Sequence, residues 1–513
     1  MKITVKEAYV IACDLGTGGC KSSLYDKEGN CIDGIFEEYS TYYPDERKHE
    51  QKPVDWLNAV KKSIKRLVKK LSPEVKAHIK GIGLSGHSLA MVPISKDGEL
   101  LLDYVPIWSD FRADNTELNT LFDKVSEEDW YMTTGNGFPP RLYTVFKILW
   151  MKNHQPEIFN KAYKVIGSKD YINLMFTGNI VTDYSYASGT GIYNLKENDY
   201  SDVLLDAVGL YRDLFPKIVD SSDVVGNIIE SLAIELDLPK TIKIIAGGVD
   251  NSCMALGSRC YKEGRVYNSL GSSSWIAVSS KQPLLDKNTK PYVFRHVIPN
   301  LCVSATAIFS AGSSYKWFAK ILYGENNDPN YEELDKLAET ISPGCEGLLF
   351  NPTLAGGSSL DKSPFIKGGF IGLSLLHTRA HLSRSVMEGV GFGLRETLDA
   401  LRGSATINNS MMIVGGGSKS AVWRKILADI LNVNILKSNI DQQAAALGAA
   451  ALTLYGCGIW SDYSKLDNIH VIESIIEPDQ DRVLLYNKLL KNYKKVSDFL
   501  SDYGDIIEEA KSE

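Results

Sequence analysis

Residues 9–26 read YVIACDLGTGGCKSSLYD, which is two β-rich runs on either side of a glycine-rich turn. The first run covers residues 9–13, the turn residues 14–19 and the second run residues 21–25. Apolar runs that are separated by a short glycine-rich segment are typical of antiparallel strands. We therefore predict a β-hairpin with an unusually glycine-rich tip.

This tip has the composition of an anion-binding site. The glycines around Gly18 allow consecutive backbone N–H groups to point at one anion. Thr17 adds a hydroxyl and Lys21 a positive charge. Asp14, at the end of the first run, would hold a hydrated Mg²⁺ ion. A glycine-rich hairpin without a ligand is the alternative that this segment leaves open.

A second segment of the same kind lies in the other half of the chain. Residues 268–275 read NSLGSSSW, again a strand, a turn of small residues and a strand. Between the two hairpins, the β-rich run 241–246 ends in two glycines, and the strand pattern then starts again. The repetition predicts duplicated α/β domains with a boundary near residues 246–258. Two such turns that face each other across a cleft could hold the β- and γ-phosphates of ATP.

Composition restricts the kind of protein. The chain has 513 residues, of which 44% are hydrophobic, and this excludes a disordered or low-complexity chain. A net charge of −7 argues against nucleic acid or an anionic membrane as partner. The sequence contains neither a signal-peptide pattern nor an apolar run of about 20 residues, so we expect a cytoplasmic protein. Eight cysteines without a C-x-x-C pair imply neither a disulfide framework nor a structural zinc site.

One pattern is misleading. Residues 81–86 read GIGLSG and fit the dinucleotide fingerprint G-x-G-x-x-G. That fingerprint must follow a strand and open a helix, so that the pyrophosphate lies at the helix N-terminus. Here the glycines overlap the predicted strand itself, and residues 89–94 continue as β-structure. The context therefore argues against a dinucleotide site.

Asp250 is a candidate catalytic group. It follows a β-rich run and two glycines, a place from which a carboxylate can project from the carboxyl end of a strand into a crevice. The helix-like residues after it allow an alternative, in which Asp250 is a helix N-cap. Both roles are compatible with each other.

Residues 415–420, GGGSKS, lie between an apolar run and an amphipathic helix predicted over residues 422–431. Glycines at a strand-to-helix turn let a flat ligand such as adenosine approach the backbone, and the helix N-terminus favours phosphate. Tight packing between the strand and the helix is the alternative.

Taken together, these residues resemble the FGGY carbohydrate kinases, a branch of the actin-like ATPase superfamily. Residues 368–373 (GGFIGL), 381–382 (HL) and 385–388 (SVME) fit the C-terminal signature of that family at every position. Residues 147–150 (KILW) look like its N-terminal signature.

Within the family, residues 182–190 (TDYSYASGT) and 417–424 (GSKSAVWR) look most like xylulokinases. The resemblance implies an α/β fold with two duplicated actin-like (ribonuclease H-like) domains flanking a central cleft. Residues 1–247 would form the N-terminal domain, which binds the sugar and carries the first phosphate loop. Residues 248–460 would form the ATP-binding C-terminal domain, and residues 461–513 a helical tail packed on the body.

The resemblance also implies roles for individual residues. Asp250 would be the catalytic base, Asn251 would contact the sugar, and Asp14 and Asp250 would hold Mg²⁺. The residues expected at ATP are Asp14, Thr17, Gly18, Lys21, Gly271, Ser272, Gly312, Gly416, Gly417 and Ser420. The residues expected at the sugar are His87, Ser88, Leu89, Trp108, Asp110, Asp250 and Asn251.

Two departures from the xylulokinase pattern concern the substrate. Xylulokinases usually carry Gln-Met-His-Gly where this chain has residues 87–90, HSLA, so Ser88 and Leu89 replace the Met-His pair that touches the sugar. His87 could supply a compensating hydrogen bond, or it could be satisfied by its own backbone neighbourhood. The family's Gly-Glu-Arg-Thr-Pro-like loop is altered to residues 356–359, GGSS.

The resulting hypothesis is an ATP-dependent kinase that transfers the γ-phosphoryl group to a primary hydroxyl of a small sugar. D-xylulose is the first candidate, and L-xylulose, ribulose, erythrulose and glycerol-like polyols are alternatives. Two other classes share the phosphate loops: an actin-like ATPase that serves as a chaperone or filament module, and a nucleotide- and sugar-binding regulator without turnover. A homodimer is a family-based expectation.

Overall fold

The computed structural model of the chain describes residues 7–403, 405–440 and 443–512, in which two large β-sheets carry the helices. The strands are, in chain order, β1 (Tyr9–Leu15), β2 (Gly19–Asp26), β3 (Cys31–Glu38), β4 (Tyr42–Asp45), β5 (Lys48–Gln51), β6 (Ile79–Gly86), β7 (Val92–Ile94), β8 (Val105–Pro106), β9 (Lys164–Ile166), β10 (Val181–Asp183), β11 (Tyr193–Asn194), β12 (Asp199–Tyr200), β13 (Lys217–Val219), β14 (Val224–Asn227), β15 (Lys243–Val249), β16 (Val266–Leu270), β17 (Ser274–Ser280), β18 (Tyr292–Arg295), β19 (Cys302–Ile308), β20 (Leu349–Asn351), β21 (Gly369–Ile371), β22 (Ser410–Val414), β23 (Asn434–Ser438) and β24 (Ile472–Ile476).

The α-helices are, in chain order, α1 (Pro53–Val68), α2 (Pro73–Ala77), α3 (Asn115–Phe122), α4 (Glu127–Thr134), α5 (Thr144–His154), α6 (Pro156–Lys161), α7 (Ser168–Thr177), α8 (Tyr184–Ala187), α9 (Asp202–Val208), α10 (Glu230–Leu236), α11 (Asp250–Gly257), α12 (Gly312–Tyr323), α13 (Tyr331–Glu339), α14 (Arg379–Arg402), α15 (Ala421–Leu431), α16 (Ala444–Gly456), α17 (Leu466–Ile469) and α18 (Gln480–Ser512).

The first sheet has six strands in the order β14-β15-β6-β1-β2-β3. Strands β1, β6 and β15 run parallel, whereas β1, β2 and β3 form consecutive antiparallel pairs. The pair of β1 and β2 confirms the predicted hairpin. Its turn is shorter than predicted, because Asp14 and Leu15 still belong to β1, where they pair with β6 as well as with β2.

The second sheet repeats this arrangement with seven strands in the order β18-β19-β17-β16-β22-β23-β24. Strands β16 and β17 form an antiparallel hairpin, and β16, β22 and β23 are parallel. In both sheets, the first strand of the hairpin is followed, on the side away from its hairpin partner, by two strands parallel to it: β6 and β15 beside β1, and β22 and β23 beside β16. This common order confirms the predicted duplication.

Strand β1 shows why the opening run is apolar. Ile11 and Cys13 lie in one hydrophobic core with Val60 of α1, while Val10 and Ala12 lie in another core with residues of α16. Because helices cover both faces of the strand, neither face needs polar residues, and the run is nearly continuous in its hydrophobicity.

Helices α11 and α16 pack against each other, and α16 also lies on β1 and β6. The contacts are so close that only glycine fits at certain positions: a Cβ at Gly448 of α16 would collide with the carbonyl of Cys253 in α11. On the sheet side, Gly81 and Gly83 of β6 leave room for Thr453 of α16. The glycines of the misleading G-x-G-x-x-G pattern therefore lie within a strand, as their context predicted, and allow a helix to pack on it.

The segment 461–513 contains more than the predicted helical tail. Helix α18 is present, but the strand β24 precedes it and pairs antiparallel with β23 at the edge of the second sheet. The helical description of this segment is therefore wrong for β24, whose five residues, IESII, include three isoleucines, a residue type that favours strands. In the described ranges, no helix is both long enough and apolar enough to cross a membrane.

Candidate active site

The parallel strands of the first sheet end at a common edge, and two carboxylates lie there. In the register of the sheet, Asp14 of β1 is opposite Ser85 of β6, and Ser85 is opposite Gly248 of β15. Asp250 opens α11 directly after β15. Asp14 and Asp250 therefore stand at the same edge with one strand between them, at the carboxyl ends where open α/β sheets bind their ligands.

Asp250 has the electrostatic properties of a general base. Burial, together with the negative charge of Asp14, raises the pKa of Asp250 to about 7, although the backbone N–H of Asn251 donates a hydrogen bond of 2.8 Å to its carboxylate. A base with a pKa near the working pH is the most effective proton acceptor. Val249 occupies the N-cap position of α11, so the interpretation of Asp250 as a helix cap is wrong.

Asn251, which was predicted to contact the sugar, is linked to two aromatic residues of the second sheet. Its carbonyl accepts a hydrogen bond of 3.4 Å from the hydroxyl of Tyr267, and that hydroxyl accepts one of 3.1 Å from the indole Nε1 of Trp275. Neither aromatic residue was among the predicted site residues, because the link between β16, β17 and α11 exists only in the folded chain.

Loop 1, the turn formed by residues 16–18 between β1 and β2, is fixed by hydrogen bonds from two residues outside the hairpin. The hydroxyl of Thr17 accepts a hydrogen bond of 2.9 Å from the indole Nε1 of Trp108, and its carbonyl accepts one of 2.7 Å from the amide of Gln51. A Cβ at Gly18 would meet no atom within 4 Å, so this side of the loop is open. Loop 1 is therefore fixed in position and accessible to a ligand.

Lys21 lies opposite Asp14 in the register of β1 and β2. Burial raises the pKa of Asp14, and the nearby Ser85 side chain and the charge of Lys21 oppose that rise only in part. A cation or a phosphate-bound metal near Asp14 would remove the remaining cost of its charge.

Loop 2, residues 271–273 between β16 and β17, is bound by the start of α12. The backbone N–H groups of Ala311 and Ser313 donate to the carbonyl of Ser272 over 2.8 and 3.0 Å, and that of Gly312 donates to the carbonyl of Gly271 over 2.9 Å. A Cβ at Gly312 would collide with the Gly271 carbonyl. The structure thus gives Gly312, predicted at ATP, a supporting contact with loop 2.

Of the three glycines after β22, two fit the prediction of tight packing and one fits the prediction of an open ligand site. A Cβ at Gly415 would lie 2.6 Å from the carbonyl of Leu270, and a Cβ at Gly417 would lie 2.5 Å from the Leu270 side chain, so both positions are tightly packed. A Cβ at Gly416 would meet nothing within 4 Å, so that glycine is open to a ligand. Ser420 is the N-cap of α15, where its hydroxyl accepts the N–H of Trp423 at 3.0 Å.

His87 lies at the end of β6 and is buried. Its ring stands edge-on to Trp56, with ring centroids 5.1 Å apart, and neither ring nitrogen has a hydrogen-bond partner among the described residues. Burial lowers the pKa of His87 to about 4, so the ring is neutral at physiological pH. By its geometry the ring is therefore not satisfied by its backbone neighbourhood, although it is only 1% exposed. Ser88, the next residue, is partly exposed.

Leu89 and Asp110 correct the prediction for the sugar side. The Leu89 side chain is only 3% exposed and packs in a hydrophobic core with Val145 and Ala187. Asp110 is fully buried, and its two oxygens accept hydrogen bonds from Arg112 and from the backbone N–H of His49. The direct sugar contacts predicted for these two residues are therefore wrong, because their side chains are used inside the protein.

Lys147, from the N-terminal signature, bridges two of the segments in which sugar contacts were predicted. Its ammonium group donates hydrogen bonds of 3.0 Å to the carbonyl of Leu89 and 2.6 Å to the carbonyl of Ile107. Burial lowers the pKa of Lys147 to about 7. Trp108, directly after Ile107, remains 42% exposed and can reach a ligand.

Comparison with known proteins agrees with this geometry. Residues 9–257 match the N-terminal domain of the FGGY family of carbohydrate kinases, and residues 266–457 match the C-terminal domain of that family. The chain belongs to the FGGY family of carbohydrate kinases. As such a kinase it transfers a phosphoryl group from ATP to a sugar, and this confirms the predicted enzyme class.

Relatives of this FGGY kinase cover nearly its whole length. The xylulose kinase of Lactococcus lactis subsp. lactis (strain IL1403) is 30% identical over 492 residues, which are 95% of this chain and 96% of the relative. The solved structure of a ligand-bound xylulose kinase from Lactobacillus acidophilus has a TM-score of 0.88 at 26% identity and covers 96% of this chain and 98% of its own. A gluconate kinase from Lactobacillus acidophilus has a TM-score of 0.87, also at 26% identity and with the same coverage. The two sheets therefore belong to two actin-like (ribonuclease H-like) domains, as predicted.

This FGGY kinase has a cavity of about 500 Å³ between residues of both halves of the chain. Phe138 and Tyr292, whose ring centroids are stacked 4.2 Å apart, line it and pack against a buried cluster that includes Val249, the neighbour of Asp250. The carboxamide oxygen of Asn136 borders it, buried and without a hydrogen-bond partner among the described residues. Residues 357–359 of the altered loop form another part of its wall. Asn136 was not among the predicted site residues, since its position at this cavity results from contacts between distant segments.

Proposed function

We propose that this kinase phosphorylates a primary hydroxyl of a small ketose, with D-xylulose as the first candidate acceptor. The observation that carries the proposal is Asp250, a carboxylate with a pKa of about 7 that follows β15 at the same sheet edge as Asp14. The similarity to xylulose kinases along 95% of the chain supports D-xylulose in particular.

In the proposed reaction, the sugar oxygen forms a bond to the γ-phosphorus of ATP while the bond from that phosphorus to the β,γ-bridging oxygen breaks. Asp250 accepts the hydroxyl proton, and ADP leaves. The transition state of phosphoryl transfer is loose, so the protein mainly has to position the groups and stabilise charge. Backbone N–H groups of loops 1 and 2 would hold the phosphates, and the open side of Gly416 would face the adenosine.

Asp14 and Asp250 fit a magnesium ion. Both carboxylates have raised pKa values, and each would be stabilised as an anion by a nearby divalent cation. Within the described residues, no group of three or more His, Cys, Asp or Glu side chains could hold a metal. Phosphate oxygens and water would therefore complete the shell of Mg²⁺, as is usual for this ion. When bound, Mg²⁺ neutralises phosphate charge.

The identity of the acceptor depends on the residues that differ from the xylulokinase pattern. Ser88 and Leu89 stand where Met and His would contact the sugar, and Leu89 is turned into the core. The gluconate kinase from Lactobacillus acidophilus matches this fold as well as the xylulose kinase does, so D-gluconate is a second candidate beside L-xylulose, ribulose, erythrulose and glycerol-like polyols.

The test is coupled ADP release with Mg·ATP over a panel of these sugars, with Asp250→Asn measured in parallel. The proposal predicts strong stimulation by D-xylulose, and loss of turnover in Asp250→Asn while ATP still binds. Stimulation by D-gluconate alone would replace the acceptor but keep the mechanism. Normal turnover in Asp250→Asn would refute the role of the base.

Three further properties belong to the same proposal. Residues 1–247 and 248–460 are the sugar-binding and ATP-binding domains, and residues 461–513 pack on the body. The kinase works in the cytoplasm, where ATP is available, and all eight of its cysteines are free thiols in the structure. It forms a homodimer, which sedimentation of the purified chain would test.

A further inference from the structure

We propose that a buried polar hub, consisting of Lys169, Asp183, Ser185 and Ser221, positions the catalytic base Asp250 by holding the irregular end of β15. This inference rests on the proposed function, because it takes Asp250 as the base. It assigns a positioning role to residues that lie behind the sheet edge and do not touch the substrate.

The end of β15 contains a bulge. Ile245 is opposite Gly83 of β6, but the next pair is Gly248 and Ser85, so three steps along β15 correspond to two along β6. Side chains alternate between the faces of a strand, and one extra residue therefore reverses the face to which all later residues point. The direction in which β15 delivers Asp250 thus depends on this bulge.

At the bulge, the backbone of β15 departs from regular strand geometry, so its N–H groups cannot all pair with β6. Gly247 has a φ of +72°, and a Cβ at this position would collide with the carbonyl of Leu84. The N–H of Gly247 donates to the carbonyl of Ser221 at 2.9 Å, and the N–H of Val249 donates to the hydroxyl of Ser185, also at 2.9 Å. The N–H groups of Gly247 and Val249, which flank Gly248 just before the base, are therefore bonded to the hub and not to the neighbouring strand.

Asp183 fixes the direction of these bonds. Its Oδ2 accepts the backbone N–H of Ser185 at 3.0 Å, the hydroxyl of Ser185, and the hydroxyl of Ser221 at 2.7 Å. Because the Ser185 hydroxyl gives its proton to Asp183, only its lone pairs face Val249, and it must act as the acceptor there. The Oδ1 atom of Asp183 lies 2.9 Å from the ammonium group of Lys169.

The positive charge of Lys169 is retained in the interior. Burial opposes the charge on Lys169, but the carboxylates of Asp170 and Asp183 outweigh this effect and keep the pKa of Lys169 above its ordinary value. Lys169 and Asp183 are both fully buried. A buried ion pair seldom adds net stability compared with apolar packing, so its use here fits a role in placing atoms.

The proposal predicts that the loss of the Ser185 acceptor leaves the Val249 N–H without a partner and lets the start of α11 move. In Ser185→Ala we expect kcat to fall at least about tenfold, since small displacements of a catalytic group are costly, while KM for Mg·ATP stays within about twofold. Ser185→Thr keeps the hydroxyl and should restore kcat to within about threefold of the wild type. Ser221→Ala keeps the Ser185 acceptor and should show a smaller loss of kcat than Ser185→Ala.

Thr190→Ala is the matched control. Thr190 also donates a buried hydroxyl hydrogen bond, 2.7 Å to the carbonyl of Ala187, and this bond is made within its own turn and not to Asp183 or to residues 246–250. Hydrogen exchange of the peptide that spans residues 246–256 gives a second readout, independent of the sugar. It should become at least about tenfold faster in Ser185→Ala and unchanged in Thr190→Ala.

Equal kcat values and equal exchange rates in Ser185→Ala and Thr190→Ala would overturn the proposal, and so would a Ser185→Thr variant as inactive as Ser185→Ala. If Ser185→Ala does not fold, the same comparisons are made with Ser221→Ala. If the wild-type kinase phosphorylates no sugar, the proposed function fails, and the exchange rates alone decide about the hub.

Discussion

Trp108 and Thr17 are joined by a hydrogen bond of 2.9 Å from the indole Nε1 to the hydroxyl oxygen. Thr17 is at the tip of loop 1, and Trp108 stands on the sugar side, next to the carbonyl of Ile107 that Lys147 holds. A hydrogen bond between two partly exposed side chains therefore joins loop 1, where we propose that phosphate binds, to a residue that we propose contacts the sugar.

Trp108→Phe should weaken the binding of both substrates, Mg·ATP and the sugar. The variant keeps most of the ring but frees the Thr17 hydroxyl, and a hydrogen bond of this kind contributes about 1 kcal/mol, which corresponds to about fivefold. We expect KM for Mg·ATP and KM for the sugar to rise by about that factor each. Trp317→Phe, at a tryptophan of α12 with 40% exposure, is the control. An increase in only one of the two KM values would show that the bond does not couple the sites.

The pH dependence of kcat/KM for the sugar should report the ionisation of Asp250. Its pKa of about 7 in the free kinase results from burial and from the charge of Asp14, and the group must be ionised to accept a proton. We therefore expect kcat/KM for the sugar to rise with pH through a midpoint near 7 and to level off above it. His87 should contribute no inflection above pH 5, because burial lowers its pKa to about 4. A profile that is flat from pH 5 to 9 would contradict the assignment of the base.

The same pKa predicts a stability effect of opposite sign. The folded pKa of Asp250 lies above the value of about 3.9 for an unfolded aspartate, so the protonated carboxyl stabilises the fold at low pH. This stabilisation is complete below pH 3.9 and is lost as the pH rises through about 7. The melting temperature of Asp250→Asn should therefore exceed that of the wild type by a margin that grows between pH 5 and 8. Thermal unfolding of both proteins across this range measures the margin, and a constant difference would speak against it.

The local parts of the site were predictable from the sequence. The hairpin over residues 9–26 and loop 2 depend on glycines and small residues that are adjacent in the chain, and Asp250 follows its strand directly. The end of β1 was less predictable, because its pairing with β6 carries the strand beyond Asp14. The local composition indicates a turn at these residues, but it carries no information about the pairing with β6.

The burial of Leu89 and Asp110 could not be read from their neighbours. Leu89 is held by Lys147, and Asp110 by Arg112 together with the backbone of His49, a residue about 60 positions earlier in the chain. The hub around Asp183 was invisible for the same reason, since it joins segments that meet only in three dimensions. Motif matching places such residues near the site, and packing decides which of them reach the ligand.

Gly416 and Gly417 should respond differently to a methyl group. A Cβ at Gly416 meets no atom within 4 Å, whereas a Cβ at Gly417 would press on Leu270 at 2.5 Å. Gly416→Ala is therefore expected to keep the melting temperature within about 1 °C and to raise KM for ATP, because the methyl group would occupy the ligand's space. Gly417→Ala should lower the melting temperature by several degrees, in line with the roughly 1–3 kcal/mol cost of overpacking. Equal effects of the two substitutions on stability would contradict the conclusion that Gly416 faces open space.

His87→Phe should separate binding of the sugar from binding of ATP. Phenylalanine keeps a planar ring against Trp56, which lies 5.1 Å away between centroids, but removes the two ring nitrogens that have no partner in the described part of the chain. If these nitrogens bind the acceptor, KM for the sugar should rise about fivefold to tenfold while KM for Mg·ATP and the melting temperature stay close to the wild-type values. The control is His296→Phe, because His296 is also buried but its ring nitrogens bond to the carbonyl of Cys260 and the N–H of Ile298, so its loss should lower stability instead. A His87→Phe kinase with unchanged KM for every acceptor in the panel would exclude the ring from sugar recognition, and the partly exposed Ser88 would then be the remaining predicted contact in the segment that replaces Gln-Met-His-Gly.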